Sequence, residues 1–216
     1  IAASYGTFAT MFALYYRDVQ GGKGQFIDLS IYEPIFQLLG PQPMAYDQLG
    51  IIQERMGNRS LNNAPRNTYQ TLDEHWVAIS TNSPSIVKRV LTLCGGEDVA
   101  NDPRFQTPAG RVEFIDEVDG VVANWISQHN LNEVLEKFEE VEAAVGPVYN
   151  IAQIFEDPQY IARNDIIDLN DEDLGKIKMT AGFPFMSETP PEIRHAGPSK
   201  GKHNAEIYCK ELKLAV

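Results

Sequence analysis

Apolar positions open this chain at once. Tyr5, Phe8, Phe12 and Tyr15 recur every three or four residues, and Ile1, Met11 and Leu14 widen the stripe. The spacing predicts a helix over residues 1–18, buried on most sides. No capping side chain stands in front of it, so the stretch has the texture of a helix entered after its start. "QGGKGQ" (Gln20–Gln25) breaks the pattern, with Gly21 or Gly22 suited to the left-handed residue past a helix end. In "FIDLSI", Ile27, Leu29 and Ile31 alternate with Asp28 and Ser30, which predicts a half-buried strand. "EPIFQLLG" restarts a helix with Pro34 near its first turn, and Pro41 and Pro43 interrupt it.

From about Asn67 the texture changes. "NTYQTLDEHWVAIS" predicts a β-hairpin turning at Asp73–Glu74. "SPSIVKRVLTLCGG" predicts a helix with Ser83 as N-cap, Pro84 in the first turn and Gly95 past the end. "NDPRFQT" reads as a loop, and "RVEFIDEVDGVVANWISQ" as one helix. "NLNEVLEKFEEVEAAVG" predicts another, with Asn130 and Glu133 as a capping box and Leu131, Val134, Leu135 and Phe138 as its apolar face. "GPVYNIAQIFEDPQYIARN" reads as a loop and a short helix broken at Pro158, and "IIDLNDEDLGKIKMT" as a hairpin with an acidic turn. The Pro- and Gly-rich tail is expected to lie over another surface and to end in a short helix, "NAEIYCKELKL".

Composition narrows the function classes. The chain has 216 residues, enough for one large domain or two small ones, and its 43% hydrophobic content is that of a globular protein with a core. A formal net charge of −12 with no basic run removes the electrostatic footprint of a nucleic-acid binder and disfavours anionic membranes. It leaves room for a small anionic ligand, which needs only a few local cations or helix N-termini. Cys94 and Cys209 form no CxxC, and two free thiols in a reducing cytoplasm are expected. No stretch reaches the ~18 apolar residues of a membrane span, and the opening segment lacks the basic start and small-residue cleavage site of a signal peptide.

Several stretches invite chemical readings. "GGKGQ" lies between a helix and a strand, the reverse of a nucleotide phosphate loop, and Gln25 stands where that loop needs Ser or Thr; a tight turn is the expectation. A calcium loop started at Asp168 would need Gly and Glu where Asp173 and Met179 stand, so a solvated hairpin turn is expected. His75, His129, His195 and His203 show no paired-ligand spacing, and no metal is expected. Cys94 falls near a helix C-terminus, where the dipole disfavours a thiolate. "RMGNRSLNNAPRN" (Arg55–Asn67) is the most site-like stretch, because Arg and Asn side chains suit anionic and carbonyl groups. A polar linker explains the same residues.

Five motifs in order give the chain a resemblance. "ALYYRDVQGGKGQFIDLSIYEP", "RMGNRSLNNAPRNTYQTLDEHWVAIS", "NDPRFQTPAGRVEFIDEV", "AAVGPVYNIAQIFEDPQYIARN" and "GKHNAEIY" resemble segments of the family III CoA-transferases (CaiB/BaiF). That family includes formyl-CoA transferases, carnitine CoA-transferases and α-methylacyl-CoA racemases. The resemblance implies an α/β fold: a Rossmann-like large domain, a small α/β domain, and a chain that returns to the large domain, in subunits interlocked as a homodimer. It implies that residues 1–50 are the last helix, strand and helix of the large domain and 51–66 a linker. Residues 67–165 would be the small domain and 166–216 the returning tail. The chain is then expected to be a C-terminal portion, truncated at its N-terminus.

The family's nucleophile is an aspartate at the start of the helix before the G-[RK]-G-Q turn, and counting back from Gln25 puts it immediately before Ile1. The resemblance therefore assigns no catalytic residue within the chain, which is expected to be inactive alone. It implies CoA as a substrate moiety, an acyl-CoA and a small carboxylic acid as partners, and Asn62, Asn63 and Arg66 as the residues that contact CoA. Ser60–Arg66 lacks the glycine run of the formyl-CoA branch, and the position near Ser83 lacks the glutamate of the racemase branch. An acyl-CoA racemase or isomerase of the same family, and a non-catalytic binding or assembly module, are the alternatives.

Overall fold

A computed structural model describes residues 1–214, which form two compact units, Ile1–Gly57 and the segment from Asn58 onward. In the first unit, α1 (Ala2–Asp18) fulfils the apolar periodicity. It ends as its glycines require: Gly21 takes φ +70°, and the Gly22 N–H reaches back to the Tyr16 carbonyl at 3.0 Å. The expected burial is not found. Phe8, Met11, Phe12 and Tyr15 are all more than half exposed, although α2 (Glu33–Gln37) and Leu29 of the same unit lie against this helix.

The predicted strand over 26–31 is not found either. No strand among the described residues pairs with it, and a strand without a ladder neighbour leaves its backbone to water. The helical restart is borne out: α2 carries Pro34 in its first turn and is followed by α3 (Gln42–Leu49), which starts at Pro41 and closes on Gly50 at φ +66°.

The second unit is built on β1 (Arg66–Gln70) and β2 (Trp76–Ser80), antiparallel in the register Arg66↔Ser80 to Gln70↔Trp76. The hairpin turns as predicted, with Glu74 at φ +63°. Asp73 accepts from the Thr71 hydroxyl at 2.6 Å and from the Leu131 N–H at 3.0 Å, so the turn also caps the helix that packs below it.

Next comes α4 (Pro84–Ala100), whose Ser83 Oγ accepts from the Ile86 N–H at 3.3 Å. Gly96, at φ +81°, kinks the chain where the sequence pattern ends the helix, and a last helical turn follows. The stretch read as one helix is two, α5 (Pro108–Glu113) and α6 (Ile115–Ile126), broken at Phe114, and a short 3₁₀ turn Pro103–Phe105 precedes them. The capping box of Asn130 and Glu133 opens α7 (Leu131–Glu140) as predicted.

An unpredicted strand, β3 (Val145–Pro147), pairs antiparallel with β2 and completes a sheet of order β1-β2-β3. Three residues, "VGP", carry no alternation from which to read it. Tyr69, Val77 and Ile79 on the inner face of the sheet pack against Val90, Val122, Ile126, Val134 and Phe138 from α4, α6 and α7. A second cluster of Ala64, Val87, Leu91, Phe105 and Val118 sits beside it.

Beyond this core, α8 (Ile151–Glu156) and α9 (Pro158–Ala162) lead into the hairpin β4 (Ile166–Asp171) and β5 (Gly175–Thr180). Its acidic turn is closed internally, with Asp171 accepting from the N–H groups of Asp173 and Leu174 at 2.9 and 3.0 Å. The tail is exposed and irregular up to a π-type helix, Ala205–Glu211.

Candidate functional site

The loop before β1 enters the second unit between two buried polar anchors. The first is Asp119 on the inner face of α6, which is 5% exposed. Its Oδ2 accepts from Arg59 Nε at 2.8 Å and Asn67 Nδ2 at 2.9 Å, and its Oδ1 accepts from the Tyr69 hydroxyl at 2.8 Å. Arg59 spans to the next turn, with Nη1 at 2.7 Å from Asp116. Burial works against the Arg59 charge, but Asp116 and Asp119 outweigh it and hold its pKa above the ordinary guanidinium value. Burial first, and the Asp119 carboxylate second, push the Tyr69 phenol far above its usual value, so its proton stays in the bond.

The second anchor is Arg111 of α5. Its Nε donates to the Ala64 carbonyl at 2.7 Å, Nη1 to the Phe105 carbonyl at 2.9 Å and Nη2 to Asn63 Oδ1 at 3.1 Å. Burial alone lowers its pKa. Arg111 thereby ties the loop to the 3₁₀ turn, and Arg59 ties it to α6. Asp119 does not stand out in the sequence, and Arg111 is visible only as part of the motif "NDPRFQTPAGRVEFIDEV". Asp119 is one carboxylate among thirty acidic residues, on a helix whose apolar stripe it shares.

Between these anchors the structure separates the candidate residues. Asn63 is buried and its side chain is engaged, accepting from Arg111 and donating to Asn82 Oδ1 at 3.4 Å. Asn62 is exposed, and only its backbone N–H is held, by Ser60 Oγ at 3.2 Å. Arg66, the first residue of β1, is exposed opposite Ser80 and has no carboxylate partner among the described residues. Arg55 is exposed in the first unit. The loop therefore offers one open guanidinium and one open amide on a backbone fixed from below. Such groups bind phosphates, carboxylates and carbonyls and perform no bond chemistry themselves.

Other reactive groups are quiet. Burial pushes the Cys94 thiol up to about 12, which keeps it protonated at neutral pH. His129 stacks on Trp125 and its Nδ1 lies 2.7 Å from the Trp125 carbonyl. Among the described residues, no three His, Cys, Asp or Glu side chains converge as metal ligands, and no helix is long and apolar enough to cross a membrane. At the other end of the chain, α1 starts at Ala2, and Ile1 gives its first-turn N–H groups no side-chain cap.

A family model described as CoA-transferase family III matches residues 1–204. The chain is 35% identical over 214 residues to succinyl-CoA–D-citramalate CoA-transferase of Chloroflexus aurantiacus, covering 99% of this chain and 53% of that protein. It is 32% identical over 212 residues to the beta subunit of succinyl-CoA–L-malate CoA-transferase of the same organism, covering 97% and 52%. A crystal structure of a CaiB/BaiF family protein from Brucella suis superposes with TM-score 0.74 at 25% identity, covering 97% of this chain and 53% of that one. A Mycobacterium tuberculosis structure with TM-score 0.73 at 16% identity, covering 95% and 52%, shares the fold. The chain thus spans about half the length of the relatives it matches.

Proposed function

The chain belongs to CoA-transferase family III, and from that premise we propose that it is part of an enzyme that exchanges CoA between an acyl-CoA thioester and a carboxylic acid. In the first step an aspartate oxygen bonds to the thioester carbonyl carbon, the C–S bond breaks, and CoA leaves as the thiolate. The product is an aspartyl mixed anhydride, which divides one difficult transfer into easier steps. The observation that carries this reading is the family match along residues 1–204.

The nucleophile lies outside these 216 residues, directly before Ile1, and the chain alone is inactive. A carboxylate there would stand at the N-terminus of α1, where the helix dipole stabilises its anionic form. Asn62 and Arg66 contact polar groups of CoA, while Asn63, bonded to Arg111, holds their loop in place. Residues 1–50 belong to the large domain, 51–66 to the linker, 67–165 to the small domain and 166–216 to the returning tail of a cytoplasmic homodimer. The names of the relatives favour succinyl-CoA as donor and a hydroxylated dicarboxylate as acceptor. A transferase is preferred to a racemase because Ser83, close to where that branch has a glutamate, caps α4.

Trapping tests the mechanism. Full-length protein, read from the DNA upstream of Ile1, is mixed with succinyl-CoA and hydroxylamine and analysed by peptide mass spectrometry. An aspartyl hydroxamate directly before Ile1 is expected. Its absence, or a hydroxamate elsewhere, would overturn the assignment.

A further inference from the structure

A crevice of about 240 Å³ opens between α4, the Pro103–Phe105 turn and α5, with Val87, Lys88, Leu91, Phe105 and Arg111 among its lining residues. Its floor carries an unusual charge. Arg111 is 1% exposed, and its three bonded N–H groups all meet neutral oxygens, on Ala64, Phe105 and Asn63. A guanidinium has five N–H donors, so two have no protein acceptor among the described residues. No carboxylate among them lies within ion-pairing distance of Arg111, and a buried charge without a counter-ion is costly.

Lys88, exposed on α4 beside the crevice, also has no carboxylate partner among the described residues. In a chain of net charge −12, two uncompensated cations on one crevice are a local exception. The opposite lining is apolar, formed by Val87, Leu91 and Phe105. An inorganic anion would leave that wall unmatched, whereas a carboxylate on a short hydrocarbon body would meet both.

We propose that this crevice binds a small organic monocarboxylate, its anionic end held by Arg111 and Lys88 and its hydrocarbon body against Val87, Leu91 and Phe105. The crevice lies behind the loop of Asn62 and Arg66, which Arg111 anchors through Ala64 and Asn63, and its test needs no transferase activity.

The test is a thermal melt of the 216-residue chain with butyrate, with butyramide as the uncharged isostere, and with inorganic phosphate. Butyrate is expected to give a saturable rise in Tm, about 4 °C at tenfold excess over Kd, with no rise from butyramide. Lys88→Glu is the diagnostic variant, since this exposed side chain supports no internal contact, and it is expected to abolish the rise. Methyl resonances of Val87 and Leu91 should shift with butyrate at the same midpoint. No saturable effect, an equal effect in Lys88→Glu, or an equal effect of phosphate would each overturn the proposal.

Discussion

Replacing Asp119 by alanine should destabilise the second unit strongly. The carboxylate is 5% exposed and receives three hydrogen bonds of 2.8–2.9 Å, from Arg59, Asn67 and Tyr69. Alanine leaves the Tyr69 hydroxyl, itself 3% exposed, with no acceptor, and frees one arm of a partly buried guanidinium. An orphaned buried donor costs about 1–3 kcal/mol, and breaking a buried charged pair about 3–5 kcal/mol. Because Arg59 keeps Asp116 at 2.7 Å, the expected loss is about 4 kcal/mol, within that range. At about 3 °C per kcal/mol for a domain of this size, Tm falls by about 12 °C.

Both tryptophans, Trp76 and Trp125, lie in the second unit, so urea unfolding followed by tryptophan fluorescence reports that unit. Tyr69→Phe should cost about 1–1.5 kcal/mol alone. The double variant should fall short of the sum by about 1 kcal/mol, since one bond is removed in both. A loss below about 1 kcal/mol for Asp119→Ala, or strict additivity with Tyr69→Phe, would refute this account of the anchor.

Other tests reach different parts of the fold. Ser83→Ala removes the cap of α4 and should cost about 1 kcal/mol in the same urea assay, with an unchanged midpoint contradicting the cap. The Thr71 hydroxyl and the Leu131 N–H hold the Asp73 carboxyl below its usual range, and Arg104 does the same for Asp102. Folded values below unfolded ones mean that their stabilisation is complete above about pH 5 and is lost as pH falls through the folded values. The urea midpoint should therefore drop between about pH 4 and 2, less steeply in Asp73→Asn, and equal slopes would contradict the role of Asp73. Cys94 is half-buried with its pKa pushed up to about 12, and Cys209 is exposed. Ellman's reagent at pH 8 should titrate one thiol quickly and the second only in denaturant, whereas two fast thiols would contradict the burial.

Much of the second unit was legible before the structure. Ser83, Asn130 with Glu133, and the alternation around Asp73–Glu74 are local signals, and each element appears where they put it. What failed depends on distant partners. Residues 26–31 have strand alternation but no ladder neighbour among the described residues, and α1 has a helical stripe but little to bury it against. β3 has the opposite history, since three unpromising residues become a strand because β2 offers an edge. The loop of Asn62, Asn63 and Arg66 was visible as polar density. Its division into an engaged Asn63 and an exposed Asn62 and Arg66 was not, because it depends on Arg111, 48 positions from Asn63.

The most direct measurement is CoA exchange from succinyl-CoA to a hydroxylated dicarboxylate, followed by chromatography of the acyl-CoA products. Three proteins are compared: the purified 216-residue chain, the full-length protein, and the full-length protein with alanine in place of the aspartate proposed before Ile1. Exchange by the full-length protein alone is the predicted result. Exchange by the 216-residue chain, or full activity in the alanine variant, would contradict it.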